Sequence, residues 1–530
     1  MSRPHVLIVG AGGNVGSRLA HLLARSGLFR VSLGARDAQS VLALAEELRG
    51  VDPQGEFGFV ALDCTRISAE RLKEVGCWIV VDCTGAGGDG HASLVQAAIS
   101  AHCHLIDLED DRQHLESLSQ FDAQARAKGI AVLSGAGTTP ALTHAVSNSL
   151  AAGWRQIDSV DVALLTGNLS GPGPSRLAAL SGRKRAPTQV YIEGNWQASP
   201  RRRVREVRVE GLGRRRVAIA DGADLDLLVA RFRPRLRAQV SVEVNAGWSS
   251  LLLGQLGRLT AFPDLHRLGQ KGGGMVVEVA GLDPRLEPKV ARWTLVSQAG
   301  DEAYAPAIAA AAAIVALVKG LAKAGVHTAA GVVTLEGVRP WLAGLSLDIR
   351  TTGFKREVPL LARAMGAGFG ELPESLRNLH RGRPAVLGKG EVAVMGAVSA
   401  GGRLLARLCG LPAEGSNVPF RLLVEAREGR ESVTRWFGDV PIRTVRSLNE
   451  RGLVQERAGA LQLVLEPRAG PSGLEARAVE ARIGPLRLPR LLMPRIATRT
   501  KAEAEKLSVE CSVSLPLLGR LFGYRGWLKL

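Results

Sequence analysis

A chain of 530 residues is too long for one ordinary hydrophobic core, so two or three domains are expected. Its 46% hydrophobic and 22% charged residues argue against wholesale disorder, and six cysteines without a C-x-x-C pair argue against a disulfide framework or a zinc site of that spacing. The formal net charge of +18 is uneven: residues 1–150 carry 12 basic and 16 acidic side chains, a net −4, whereas 151–360 and 361–530 each carry +11.

The first element is a continuous apolar run, His5-Val-Leu-Ile-Val9, as expected of a strand buried on both faces. It runs into Gly10-Ala-Gly-Gly-Asn-Val-Gly16, after which Leu19, Leu22 and Leu23 recur at helical spacing. Strand, glycine turn and helix in this order suit a dinucleotide: backbone N–H groups approach a pyrophosphate at the positive end of the helix. Val15 stands where G-x-G-x-x-G would have its third glycine, so the spacing is G-x-x-G-x-x-G instead. Gly10, Gly12, Gly13, Asn14, Val15 and Gly16 are the candidate phosphate-binding residues.

A second strand, Phe29–Leu33, ends in Gly34-Ala-Arg-Asp37. Arg36 falls where an arginine meets a ribose 2′-phosphate, which favours NADP, while the adjacent Asp37 leaves NAD open. Gly58–Leu62 is the third strand, and Asp63 and Cys64 after it are placed to meet the adenine. Trp78–Asp82 is the fourth, closed by Cys83, Thr84 and Gly85 on the path toward the nicotinamide end. A helix at 93–101, a fifth strand His104–Leu108, a helix at 115–128 and a sixth strand Ile130–Leu133 complete the alternation. This is the pattern of an α/β fold with a Rossmann doubly wound parallel sheet, assigned to residues 1–145.

At this point the residues resemble a family. Leu105-Ile-Asp-Leu108 followed by Val132-Leu-Ser-Gly-Ala-Gly-Thr-Thr-Pro-Ala-Leu142 is similar to saccharopine dehydrogenase/reductase-like proteins, in which such a segment links the Rossmann domain to the substrate domain. Gly281-Leu-Asp283, Tyr304-Ala-Pro-Ala, Gly331 to Leu335 and Leu345 extend the resemblance over about residues 4–352. It implies hydride transfer with NADP or NAD to or from a small substrate, an imino or amino acid among the candidates. Ala141 stands where many relatives have glycine. Short-chain dehydrogenases are excluded, because Tyr191, Tyr304 and Tyr524 are followed four positions later by Asn195, Ile308 and Leu528 rather than lysine.

Proton transfer needs a group near the carboxyl ends of the strands, and Asp107 and His144 are the catalytic candidates. A solvated acid for Asp107 and a buried or capping role for His144 are the bland alternatives. Cys83 lacks an adjacent basic partner and reads as a small packing residue. His102 and His104 alternate with Cys103 without other partners, so no metal is predicted.

Residues 146–355 read as an α+β substrate and dimerisation domain with an antiparallel sheet. It includes a strand at Ile157–Leu164, a Gly/Pro-rich loop at Gly167–Pro174, a hairpin at Tyr191–Trp196 and a strand at Met275–Ala280. The run Arg201–Arg216 alternates charged and valine positions as a solvated hairpin does, with no aromatics for base stacking, so no nucleic acid is expected. Ala305–Val318 is shorter than the ~20 residues that span a bilayer and reads as a buried helix; a cytoplasmic location is the expectation. Residues 365–530 read as an antiparallel β-rich domain, with strands at Val418–Ala426, Val433–Phe437, Leu461–Leu465 and Leu507–Leu515. Leu372-Pro, Gly410-Leu-Pro and Tyr524-Arg-Gly-Trp527 resemble an uncharacterised domain that recurs at the C-terminus of saccharopine-dehydrogenase-like proteins. Apolar Pro485–Ile496 with its arginines, and the two basic regions, keep open a weak contact with an anionic membrane. A cofactor-binding protein without turnover, sensing redox state, is the other alternative.

Overall fold

The computed structural model describes residues 3–37, 39–63, 66–85, 89–167, 188–192, 194–199, 204–220, 222–243, 272–354, 358–380, 385–427, 429–470, 473–489, 491–503 and 506–530. Cys64, the loop beyond Gly167 up to Pro174, and Arg201 to Arg203 lie outside the described residues. The chain divides into two units, one of residues 1–280 with 291–353 and one of 281–290 with 354–530.

In the first unit the run His5–Val9 is β1, with all five residues buried. The alternation continues as α1 (Asn14–Ser26), β2 (Arg30–Ala35), α2 (Gln39–Val51), β3 (Phe57–Ala61), α3 (Ala69–Val75), β4 (Ile79–Asp82), α4 (Asp89–Ser100) and β5 (His104–Asp107). Then follow α5 (Arg112–Ser117), α6 (Asp122–Ala127) and β6 (Ala131–Ser134). The single helix expected at 115–128 is two, because Leu118 and Phe121 turn inward in a short 3₁₀ segment between them. α1 buries Gly16, Leu19, Ala20, Leu22, Leu23 and Ala24 on one face and stops at Gly27, whose φ of 63° suits glycine. The strands are parallel in the order β6-β5-β4-β1-β2-β3, the Rossmann order, so the order in which strands are added across the sheet reverses between β1 and β4.

The second sheet of this unit contains β7 (Gln156–Leu165), β8 (Thr188–Ile192), β9 (Asn195–Ser199), β10 (Val204–Val209), β11 (Gly213–Ala220), β12 (Arg237–Glu243), β13 (Gly273–Leu282) and β14 (Pro288–Ser297). The chain then contributes β15 (Gly325–Thr328), which joins the Rossmann sheet parallel to β6, and β16 (Asp348–Phe354), which joins the second sheet beside β14. The second sheet is mixed rather than antiparallel. β12 runs parallel to β7 and antiparallel to β8 and β11. The Arg-rich hairpin forms as β10 and β11, but Arg215 within it is buried and paired with Glu243 at 2.9 Å, not solvated. The helix Ala305–Val318 is buried along most of its length, in one core with α1, β7 and β13. The stretch Asp301–Val318 is long and apolar enough to cross a membrane by composition alone.

The second unit is a closed antiparallel barrel. Its strands are β17 (Ala385–Met395), β18 (Gly415–Arg427), β19 (Arg430–Phe437), β20 (Val440–Leu448), β21 (Val454–Ala458) and β22 (Leu461–Gly470). They continue as β23 (Gly473–Ile483), β24 (Leu486–Arg487), β25 (Arg495–Glu503), β26 (Lys506–Leu515) and β27 (Gly519–Lys529). β22 pairs with β23 to close a ring of ten strands, leaving two-residue β24 outside. Closure removes the unpaired edges that an open sheet of this size would expose. Core-facing Phe420, Phe437, Phe522 and Tyr524 form one aromatic cluster, with centroids 5.0–6.0 Å apart. Beside it Glu456 is held by Arg446 at 2.9 Å and Arg435 at 3.5 Å.

Candidate functional site: the carboxyl ends of the parallel strands

The glycine spacing has a steric cause. Gly10 has φ of 79°, and a Cβ there would lie 3.1 Å from Thr84 Cγ2 and 3.2 Å from Thr84 N, in the turn after β4. A Cβ on Gly16 would lie 2.3 Å from Gly10 O and 2.9 Å from Ala11 Cα, closer than real side chains come. Gly13 is the N-cap of α1 in extended conformation, with no side chain to cap the helix. Its own N–H donates to Gly10 O at 3.0 Å. The first N–H groups of α1 therefore have no side-chain acceptor and point beyond the helix, the arrangement that favours a phosphate. Val15, at the missing third glycine, packs partly buried against the core.

Arg36 and Asp37 follow β2, both exposed. Asp37 accepts a hydrogen bond from the N–H of Gln39 at 3.1 Å, at the start of α2. Asp63 follows β3 and is exposed. After β4, Thr84 donates through N at 2.9 Å and Oγ1 at 2.7 Å to Asp82 Oδ1, which fixes the turn, and Gly85 has φ of 64°. Burial, with some help from Asp82, pushes the Cys83 thiol far up, so it is no thiolate at neutral pH.

Asp107, at the end of β5, is buried and is not the solvated turn residue that the sequence also allowed. Its Oδ1 accepts from Ser134 Oγ (2.7 Å), Glu109 N (3.0 Å) and Gly135 N (3.2 Å). Its Oδ2 faces two histidines, His91 Nε2 at 3.3 Å and His114 Nε2 at 3.4 Å. His91 Nδ1 lies 2.9 Å from Asp82 Oδ2, and the two imidazoles stand edge to face with centroids 4.3 Å apart. All four residues are buried. Burial pushes the His91 imidazole down, but the contacts with Asp107 and Asp82 outweigh it and lift it to about 10. Burial likewise pushes Asp107 up, and His114 and His91 outweigh that, holding it well below the usual carboxylate range.

His91, His114 and the role of Asp82 were not singled out in the sequence. The signal available was modest: His91 opens the helix after β4, and His114 lies seven residues beyond Asp107.

His144, on the helix Thr143–Leu150 (α7), is also buried, with Nε2 3.4 Å from Asp224 Oδ1. Thr143 Oγ1 donates to that same oxygen at 2.9 Å. Among the described residues no hydrogen bond or ion pair joins His144 to Asp107, so the two catalytic candidates belong to separate clusters.

Residues 6–133 match the saccharopine dehydrogenase NADP binding domain. This stretch contains the glycine turn, Arg36 and all four residues of the buried His–Asp cluster. Over these residues the chain is similar to that NADP binding domain. Residues 372–528 match a domain of unknown function (DUF4166), which therefore covers the barrel almost entirely. The saccharopine dehydrogenase match ends before the linker Gly135–Pro140, so the resemblance read over the later residues lies outside it.

No curated protein matches the sequence. Among solved structures, a meso-dapdh mutant with DAP from Clostridium tetani is 13% identical, covering 63% of this chain and 96% of that one, with a TM-score of 0.36. YwfH, an NADPH-dependent reductase involved in bacilysin biosynthesis, is 12% identical over 25% of this chain and 76% of its own, with a TM-score of 0.22. E. coli tRNA N6-threonylcarbamoyladenosine dehydratase, TcdA, is 22% identical over 20% of this chain, with a TM-score of 0.18. The chain spans about half the length of TcdA, 51% of it. TM-scores at this level identify no shared function.

Proposed function

We propose that the chain is an NADP-dependent oxidoreductase acting on a carbon–nitrogen bond of a small imino or amino acid. The observation that carries this reading is the glycine turn within the NADP binding domain, where Gly10 and Gly16 leave room that a Cβ would fill. NADP(H), when bound, supplies or accepts the hydride. The residues fit that group: the turn and the first N–H groups of α1 take the pyrophosphate, and exposed Arg36 takes the 2′-phosphate. Asp37 is engaged at the start of α2, which weakens it as a ribose ligand and favours NADP over NAD. Asp63 lies on the adenine side, and Cys83, Thr84 and Gly85 line the turn toward the nicotinamide. His144 with Asp224 is the pair assigned to proton transfer, and Asp107 is assigned to positioning.

The test is NADPH oxidation by the full chain, followed by absorbance, with a panel of 2-oxo acids and amines and the reverse reaction with amino acids. Turnover that distinguishes NADPH from NADH supports the reading. Tight NADPH binding with no turnover on any member would favour the redox-sensing alternative.

A second reading concerns where the protein works. In the barrel unit, the helix Ala400–Leu408 exposes Leu404 and Leu408 beside Arg403 and Arg407, and Leu517 is exposed as well. Within the arginine-bearing Pro485–Ile496 segment, Leu486, Leu491 and Leu492 are also exposed. Apolar side chains beside arginines suit the surface of an anionic membrane, and we assign this unit a peripheral membrane contact.

A further inference from the structure

The buried cluster of His91, Asp107 and His114 has the donor set and spacing of a metal centre. Their ligand atoms all lie within 4.8 Å of one another. Asp107 Oδ2 lies 3.3 Å from His91 Nε2 and 3.4 Å from His114 Nε2. Zinc bonds of ~2.0–2.2 Å at tetrahedral angles separate neighbouring ligands by about 3.4 Å. Right angles at similar bond lengths, as in the two-histidine, one-carboxylate iron site, separate them by about 3.0 Å. The two distances to Asp107 Oδ2 match the tetrahedral value.

Four further observations point to a cation. His91 Nε2 is buried and has no hydrogen-bond partner, although Asp107 Oδ2 lies 3.3 Å away. The opposite ring nitrogen is fixed: His91 Nδ1–H donates to Asp82 Oδ2, the carboxylate–histidine arrangement that aims a metal-binding Nε2. Asp107 is oriented likewise, with three donors on Oδ1 and with Oδ2 turned to both imidazoles, His114 Nε2 within hydrogen-bond distance of it. Finally, Asp82 and Asp107 are both buried and, among the described residues, neither pairs with lysine or arginine. His91 lies between the two carboxylates, and a dication on its Nε2, in place of a proton there, would balance both.

We propose that His91, His114 and Asp107 form a Zn2+ site at the carboxyl ends of β4 and β5, with Asp82 as the carboxylate that orients His91. Three protein ligands leave the fourth tetrahedral position for water or a substrate group. The sequence concealed the site because its ligands come from two helices and a strand end without a recognised zinc spacing.

The experiment uses the full chain, stripped with a chelator, checked for folding by circular dichroism and titrated with Zn2+ and, separately, with Co2+. One equivalent of Zn2+ is expected, absent from His91→Ala and His114→Ala and retained in His102→Ala. Co2+ is expected to give the intense visible bands of a four-coordinate ion. Asp82→Asn should weaken uptake roughly 10- to 100-fold while leaving the stoichiometry at one. A folded wild-type chain that takes up no Zn2+ overturns the proposal whatever the variants do. So do equal uptake by wild type, His91→Ala and His114→Ala, and a weak six-coordinate Co2+ spectrum.

Discussion

A Cβ added to Gly16 would lie 2.3 Å from the carbonyl oxygen of Gly10, so the first turn of α1 and the end of β1 touch where no side chain fits. The glycine spacing thus records a backbone contact within the turn. Gly16→Ala should force the two segments apart, costing about 1–3 kcal/mol of stability and at least tenfold in NADPH affinity. Gly27, by contrast, has nothing within 4 Å of a built Cβ and strains only its own φ. Gly27→Ala should cost about 1 kcal/mol and leave NADPH affinity unchanged. Thermal denaturation and fluorescence titration read both effects; equal NADPH loss in the two variants would show a general fold defect.

Arg36 is exposed at the end of β2, and Asp37 beside it is engaged by Gln39. Arg36→Asp should lower affinity for NADPH about tenfold or more, ~1.4 kcal/mol, and change NADH affinity little. Paired titrations with the two cofactors check this, and an unchanged ratio removes Arg36 from the site.

In the barrel, burial pushes the Glu456 carboxyl up, but Arg446 and Arg435 outweigh it and hold it at about 2, against an ordinary value of 4.5. A carboxyl depressed on folding stabilises the folded chain above its unfolded pKa. That contribution, roughly 3 kcal/mol, is complete above about pH 4.5 and is lost as pH falls toward 2. Denaturant unfolding of the full chain between pH 6 and 3, followed by barrel fluorescence, should show this slope, and Glu456→Gln should flatten it. Because Glu456→Gln leaves Arg435 and Arg446, both only partly exposed, without their carboxylate, it should also cost about 3 kcal/mol at neutral pH.

The membrane reading predicts that Leu404→Glu with Leu408→Glu weakens binding to phosphatidylserine vesicles while leaving NADPH affinity intact. Vesicle sedimentation checks it. Binding that is insensitive to both the substitutions and added salt would contradict the electrostatic and apolar contact assigned to this helix.

The Rossmann half was legible because buried parallel strands leave continuous apolar runs, and each of the six expected strands agrees with the structure to within two residues. Barrel closure was not legible: Leu461–Leu465 was read as a strand but β23 was not, and ring closure depends on the pairing of β22 with β23. β15 was missed for a similar reason. Four residues, Gly325–Thr328, pair with β6 far back in the chain, and nothing in so short a run names its partner. Arg215 looked like any other arginine of its hairpin, and only its placement opposite Glu243 buries it. The His91–Asp107–His114 cluster was hidden by the spacing of its members along the chain, although Asp107 itself stood out at a strand end.

The central claim is a functional NADP site at the glycine turn, and calorimetric titration of the full chain with NADPH tests it most directly. Saturable binding at one site per chain is expected, with NADH at least about tenfold weaker and Gly16→Ala much reduced. No saturable binding by folded wild-type chain, or binding unaffected by Gly16→Ala, would contradict the account.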